Sequence, residues 1–128
     1  GNKTKRQGKK VNFLGDSITF YNYGYDTKIT YHQIVKERLG LAAASNYGIN
    51  GSRIASQPGD KDTAMSVRYV QMDEDADLVI VFGGTNDFKN NVTINTDNQG
   101  KYVPDGLHPN EAGHERIADK LILFMEML

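Results

Sequence analysis

Four short clusters in this 128-residue sequence carry side chains able to do nucleophilic or acid–base work: Gly15-Asp16-Ser17-Ile18-Thr19, Asn50-Gly51-Ser52, Gly83-Gly84-Thr85-Asn86-Asp87 and Asp105-Gly106-Leu107-His108-Pro109. A serine hydroxyl is a weak nucleophile until an imidazole takes its proton, and the imidazole needs a partner on its other nitrogen to hold one tautomer. Asp105 and His108, separated by Gly106 and Leu107, supply such a pair: on a turn the carboxylate reaches Nδ1 and leaves Nε2 to face Ser17. Pro109 disfavours a helical conformation at His108 and keeps it in the loop. Attack on a carbonyl creates an oxyanion that needs fixed donors. The backbone N–H groups of Ser17 and Gly51 and the side-chain amide of Asn86 are the candidates, each such donor being worth roughly 10² to 10³ in rate. Each cluster taken singly has a plainer reading, as a turn, a strand end or an Asx-turn before a helix. The argument for a site lies in their order along the chain.

The elements that must position these clusters follow from the apolar pattern. Val11, Phe13 and Leu14 run into Gly15 as a short buried strand. Thr30 and Gln33 fit a capping box for a helix with Tyr31, Ile34, Val35 and Leu39 on one face and Gly40 as its stop. Residues 42–49 predict a second strand, with Asn50-Gly51 turning after it. Met65, Tyr69 and Met72 predict the inner face of a second helix, closed by the acidic turn 73–77. Leu78 to Phe82 is a continuous β-prone run expected to be dry on both faces, as in a central parallel strand. Asn110 is placed to cap a last helix with Glu111 in its first turn and Ile117, Leu121, Phe124, Met125 and Leu128 inside. This βαβ alternation predicts an α/β fold with a parallel sheet covered on both faces. Ligands in such folds sit beyond the carboxyl ends of the strands, and three of the four clusters fall there. A loop returning to the sheet would bring His108 to the same edge.

Composition removes several classes of function. Fifteen Lys and Arg against sixteen Asp and Glu give a net charge of −1, too weak a field for general nucleic-acid binding. The absence of cysteine excludes disulfides, zinc-thiolate sites and thiol catalysis. No apolar run approaches the ~20 residues that span a bilayer, and no secretory segment precedes the domain, so a cytoplasmic location is the default. Removal of a targeting segment would leave secretion open. Residues 1–10 carry five Lys and Arg and no large apolar side chain, as expected of a mobile lead-in to a domain spanning 11–128. His32 and His114 lack ligand spacing and are expected at the surface or at helix ends. Tyr21, Tyr23 and Tyr25 are placed either to stack on a sugar ring or to pack on one another.

The ordered set of clusters resembles the SGNH hydrolase family, also called GDSL-type esterases and lipases. Gly15-Asp16-Ser17 resembles its first block, Gly51 its second, Asn86 its third, and Asp105 with His108 its last. The resemblance implies a flavodoxin-like three-layer α/β/α sandwich. It also implies a serine esterase or acylhydrolase that cleaves an ester of a small or medium acyl group through an acyl-enzyme. Ser17, Asp105 and His108 would be the catalytic residues and Ser17, Gly51 and Asn86 the oxyanion hole, with no cofactor. The G-x-S-x-G elbow of α/β-hydrolases fails because Thr19 occupies its second glycine position. An oxygen-rich metal site built from Asp16, Asp87, Asp105 and His108 conflicts with the roles that the resemblance gives the last two. The competing classes are a non-catalytic module that binds carbohydrate or lipid and a metal-dependent phosphohydrolase. The sequence departs from the family in one place. Only seventeen residues separate Asp87 from Asp105, where the family ordinarily places further helices and at least one more strand. Either the hydrolase is truly shortened, or two pieces are joined across a missing segment near 88–99, leaving the fold incomplete. The second reading is favoured because Phe88-Lys89-Asn90 reads as an exit from the third block and Asn91 onward as an approach to the last.

Overall fold

A computed structural model describes residues 5–20, 29–56, 62–88 and 107–128. Its elements in chain order are β1 (Lys10–Gly15), α1 (Ser17–Phe20), α2 (Tyr31–Leu39), β2 (Ala43–Gly48), α3 (Met65–Arg68) running into a 3₁₀ turn (Tyr69–Gln71), β3 (Leu78–Phe82) and α4 (Glu111–Met127). The strands form one parallel sheet in the order β2-β1-β3. This is a mixed α/β architecture with a small parallel sheet, a partial flavodoxin-like fold.

Alternation along β1 divides the two faces. Val11 and Phe13 join a core with Tyr31, Ile34, Val35 and Leu39 of α2 and Ala118 and Met125 of α4. Asn12 and Leu14 point the other way, where the Asn12 amide donates to the Asp73 carbonyl at 2.9 Å. Among the described residues that second layer consists of α3 and the 3₁₀ turn, and the strand paired on both sides is β1. The expectation for β3 is corrected, since it lies at an edge of the described sheet with Val79 44% and Val81 56% exposed. The predicted second helix also breaks after one turn, so Met65 and Arg68 are buried while Tyr69 is exposed. Met72, expected on that inner face, already lies in extended backbone beyond the 3₁₀ turn.

Helix α2 starts and stops where its sequence signals lie. The Thr30 N–H donates to Gln33 Oε1 at 3.0 Å, and Gly40 closes the helix at φ 64°. Asn110 caps α4 by accepting from the Gly113 N–H at 2.9 Å. The expected stripe of α4 is met at Met125, which is buried, and at Ile117 and Leu121, which pack against the core, but not at Phe124 and Leu128, each 56% exposed; His114 and Ala118 are buried as well. Part of the expected lead-in is also held: the Gly8 N–H bonds the Gly40 carbonyl at 2.8 Å, Arg6 Nε bonds the Met125 carbonyl at 3.2 Å, and Lys10 belongs to β1.

His32 and His114 are core residues rather than surface ones, and α2 needs them there. His114 Nδ1 accepts the Tyr31 N–H at 3.0 Å, satisfying a first-turn donor that the helix cannot satisfy itself. His114 also stacks on the Tyr31 ring. His32 Nδ1 lies 2.6 Å from the Thr30 hydroxyl. Burial pushes both imidazoles down to about 4, and for His114 the neighbouring His32 adds to the effect. Their folded pKa values lie below the unfolded value of 6.5. The stabilisation is therefore complete above pH 6.5 and is lost as the pH falls from there toward 4. Denaturant midpoints measured across this window should fall, at up to ~1.4 kcal/mol per pH unit for each histidine. His114→Asn, whose Oδ1 can take over the acceptor role of Nδ1, should flatten the profile; an equally steep acid loss in the variant would contradict the assignment.

Candidate active site

Ser17 is aimed by a turn that begins where β1 ends. The Asp16 carbonyl accepts from Thr19 N at 3.2 Å and Phe20 N at 2.9 Å, and Asp16 Oδ1 accepts from Ile18 N at 3.0 Å. Asp16 thus caps α1 and leaves Ser17 as its first residue. Two glycines let this turn sit against the sheet. A Cβ on Gly15 would lie 2.1 Å from Thr19 Oγ1, and one on Gly48 would lie 2.3 Å from Phe20 N. Asp16 is 1% exposed, and its Oδ2 has no hydrogen-bond partner among the described residues. Burial pushes this carboxyl above the usual range, opposed by the Ile18 N–H and then by the charges of His108 and Arg68.

Ser17 Oγ and His108 Nε2 are 2.9 Å apart, although 91 positions separate them. His108 stands two residues before the cap of α4, so the docking of that helix delivers the imidazole to the serine. The site is electrostatically simple: a largely buried hydroxyl bonded to an imidazole nitrogen, with a buried carboxyl and a buried guanidinium close by. Asp105 lies outside the described residues, as do Tyr21, Tyr23, Tyr25 and the interval 89–106 in which a missing segment was expected.

The remaining clusters meet at the same edge. Gly51 adopts φ +72°, the left-handed conformation its turn requires. Asn86 Nδ2 donates one of its two hydrogens to the Ser52 carbonyl at 2.9 Å, which joins the loop after β3 to the residue following Gly51. Asp87 makes a second tie, its carboxylate accepting from Ile54 N and Ala55 N, each at 2.9 Å. Those two N–H groups hold the carboxyl below the usual range. The Ser52 hydroxyl donates to the Gly15 carbonyl at 3.2 Å, closing the link back to the Ser17 turn. Ser17, His108, Gly51 and Asn86 therefore belong to one connected region, whereas His32 and His114 lie apart from it in the α2–α4 core. Among the described residues no group of three or more His, Asp or Glu side chains is arranged to hold a metal, and no helix is long and apolar enough to cross a membrane. Arg68 was missed by sequence reasoning. Its only signal is a charged residue three positions after Met65, on the inward face of a short helix.

Comparison with known proteins identifies the family. The sequence model of the GDSL-like Lipase/Acylhydrolase family matches residues 13–100, a span that contains Ser17, Gly51 and Asn86. The chain belongs to this family, which is the SGNH hydrolase family. A crystal structure of a structural-genomics target from Lactobacillus plantarum is 42% identical over 63% of this chain and 36% of its own, with a TM-score of 0.52. A second crystal structure is 29% identical over 82% of this chain and 47% of its own, with a TM-score of 0.56. The chain thus spans between about a third and a half of the length of these two structures. No curated protein matches it.

The close approach at Gly48 separates steric from conformational cost. Gly48→Ala must displace backbone and should cost about 3 kcal/mol. Gly51→Ala has open space and bears only the left-handed penalty, about 1 kcal/mol. Chemical denaturation of the two variants checks this order, and equal losses would contradict it.

Proposed function

We propose that this chain is a serine acylhydrolase cleaving an ester of a small or medium acyl group through an acyl-enzyme. The observation that carries the reading is the 2.9 Å contact between Ser17 Oγ and His108 Nε2, the geometry in which a base can take the hydroxyl proton. Ser17 Oγ attacks the ester carbonyl carbon as its proton passes to His108 Nε2, and the carbonyl π electrons move onto oxygen. Ser17 N, Gly51 N and Asn86 Nδ2 receive that oxyanion. When the intermediate collapses, the C–O bond to the leaving alcohol breaks and His108 returns the proton to the alkoxide. Water then repeats the sequence in reverse to free the acid and regenerate Ser17. Asp105 takes the role of holding Nδ1–H, which leaves Nε2 as the acceptor. The scheme balances without a cofactor, and its substrate is a small-molecule acyl ester.

Turnover of p-nitrophenyl acetate tests the reading. Ser17→Ala should lower kcat by roughly 10⁴-fold or more with the fold intact by circular dichroism, and a fluorophosphonate probe should label wild type but not the variant. Retained turnover in Ser17→Ala would remove the nucleophile assignment. Absence of both labelling and turnover in wild type would favour a binding module.

A further inference from the structure

We propose that Arg68 is a positioning residue that holds the Ser17 turn and the Gly51 and Asn86 donors in one fixed arrangement, by bonding to the Gly15 carbonyl that leads into the turn and to Ser52, which links to the donors. The inference rests on the acylhydrolase reading of Ser17 and extends it to a residue that touches neither substrate nor the reacting atoms. Arg68 is 7% exposed, in the layer opposite α2 and α4. Its Nη2 donates to the Gly15 carbonyl at 2.7 Å and to Ser52 Oγ at 3.0 Å, its Nη1 donates to the Tyr47 carbonyl, and its Nε donates to the Thr63 carbonyl at 2.8 Å.

Gly15 and Tyr47 lie at the carboxyl ends of β1 and β2, Ser52 in the loop after β2, and Thr63 just before α3. The Gly15 carbonyl also receives Ile49 N at 3.1 Å and the Ser52 hydroxyl at 3.2 Å. It belongs to the peptide that leads into Asp16 and Ser17. From Ser52 the path continues through its carbonyl to Asn86 Nδ2 at 2.9 Å. One guanidinium thus sits one bond from the peptide that sets the nucleophile turn and two bonds from a proposed oxyanion donor. Its charge also attracts Asp16, the cap of that turn.

A neutral residue of similar length would withdraw these bonds from the Tyr47 and Thr63 carbonyls and leave the Gly15 carbonyl with only the Ile49 and Ser52 donors, and buried polar groups that lose a partner are costly. Lysine would satisfy one or two of them, but its point charge lacks the rigid planar fork that reaches two strand ends and a side chain together. The expected consequence of loss is displacement rather than unfolding alone, and misplacement by ~1 Å at an active site can cost on the order of 10²-fold in rate.

The test compares wild type with Arg68→Lys, Arg68→Met and Ser52→Ala well below each melting temperature. For p-nitrophenyl acetate, kcat should fall by about 10²-fold in both Arg68 variants and by less in Ser52→Ala, with KM within about twofold of wild type throughout. If Arg68→Met fails to fold, Arg68→Lys and Ser52→Ala carry the comparison. A folded Arg68→Lys with wild-type kcat, or with its whole loss in KM, overturns the proposal. Nitrogen-15 NMR adds a readout independent of turnover. The Ser17 and Gly51 amides and the Asn86 side-chain amide should shift in Arg68→Lys and Ser52→Ala, while Val35 in the α2–α4 core stays in place; stationary site amides overturn the proposal. A wild type without Ser17-dependent turnover would instead sink the acylhydrolase reading, and the NMR arm would still decide whether Arg68 positions the loops.

Discussion

The hydrogen bond between Ser17 Oγ and His108 Nε2 can exist only if α4 is docked on the sheet in one rotation and one register, because only Pro109 and Asn110 separate the imidazole from that helix. That docking is achieved by His114 on the Tyr31 N–H and ring, and by Ala118 and Met125 in the core beside Val11 and Phe13. The other end of the bond is set by main chain. Asp16 caps the turn that carries Ser17, and glycines at 15 and 48 let the turn lie against the strands. A contact across 91 positions is thus produced by two local devices and one packed helix pair.

The carboxyl edge of a parallel sheet presents a further problem. Carbonyls at the strand ends run short of ladder partners and must find donors elsewhere. Here side chains supply the missing donors. Arg68 serves the ends of β1 and β2, the Ser52 hydroxyl serves Gly15, and Asn86 serves Ser52. Asp87 works in the opposite sense by accepting two loop N–H groups. The same bonds that satisfy the backbone tie these three loops together. The opposite arrangement holds along β3. Its Val79 and Val81 side chains are exposed, the layer beside them among the described residues being a single helical turn followed by a 3₁₀ turn.

Much of the fold was legible in the sequence because its signals act over a few residues. The capping box at Thr30 and Gln33, the stop at Gly40, the cap at Asn110 and the turn at Asn50-Gly51 all lie where local chemistry places them. Membership of the SGNH family was legible for a related reason, since spaced polar clusters after apolar strands survive without knowledge of packing. The misplacements share the opposite cause. His32 and His114 look like surface residues until a partner helix covers them, and the expected stripe of α4, met at Ile117, Leu121 and Met125, fails at Phe124 and Leu128, which are as apolar as the residues that are buried. The run Leu78 to Phe82 has the composition of a central strand but occupies an edge.

By itself, then, the amino-acid order determined the local starts, stops and turns, the alternation of strands and helices, and the family to which the chain belongs. Tertiary structure alone decided that Ser17 meets His108, that two histidines are buried and that one arginine reaches three strand and loop segments together. The physical reason is range. Capping and turn preferences arise between neighbours in sequence, whereas burial and polar pairing depend on which surfaces come together when helices dock on the sheet.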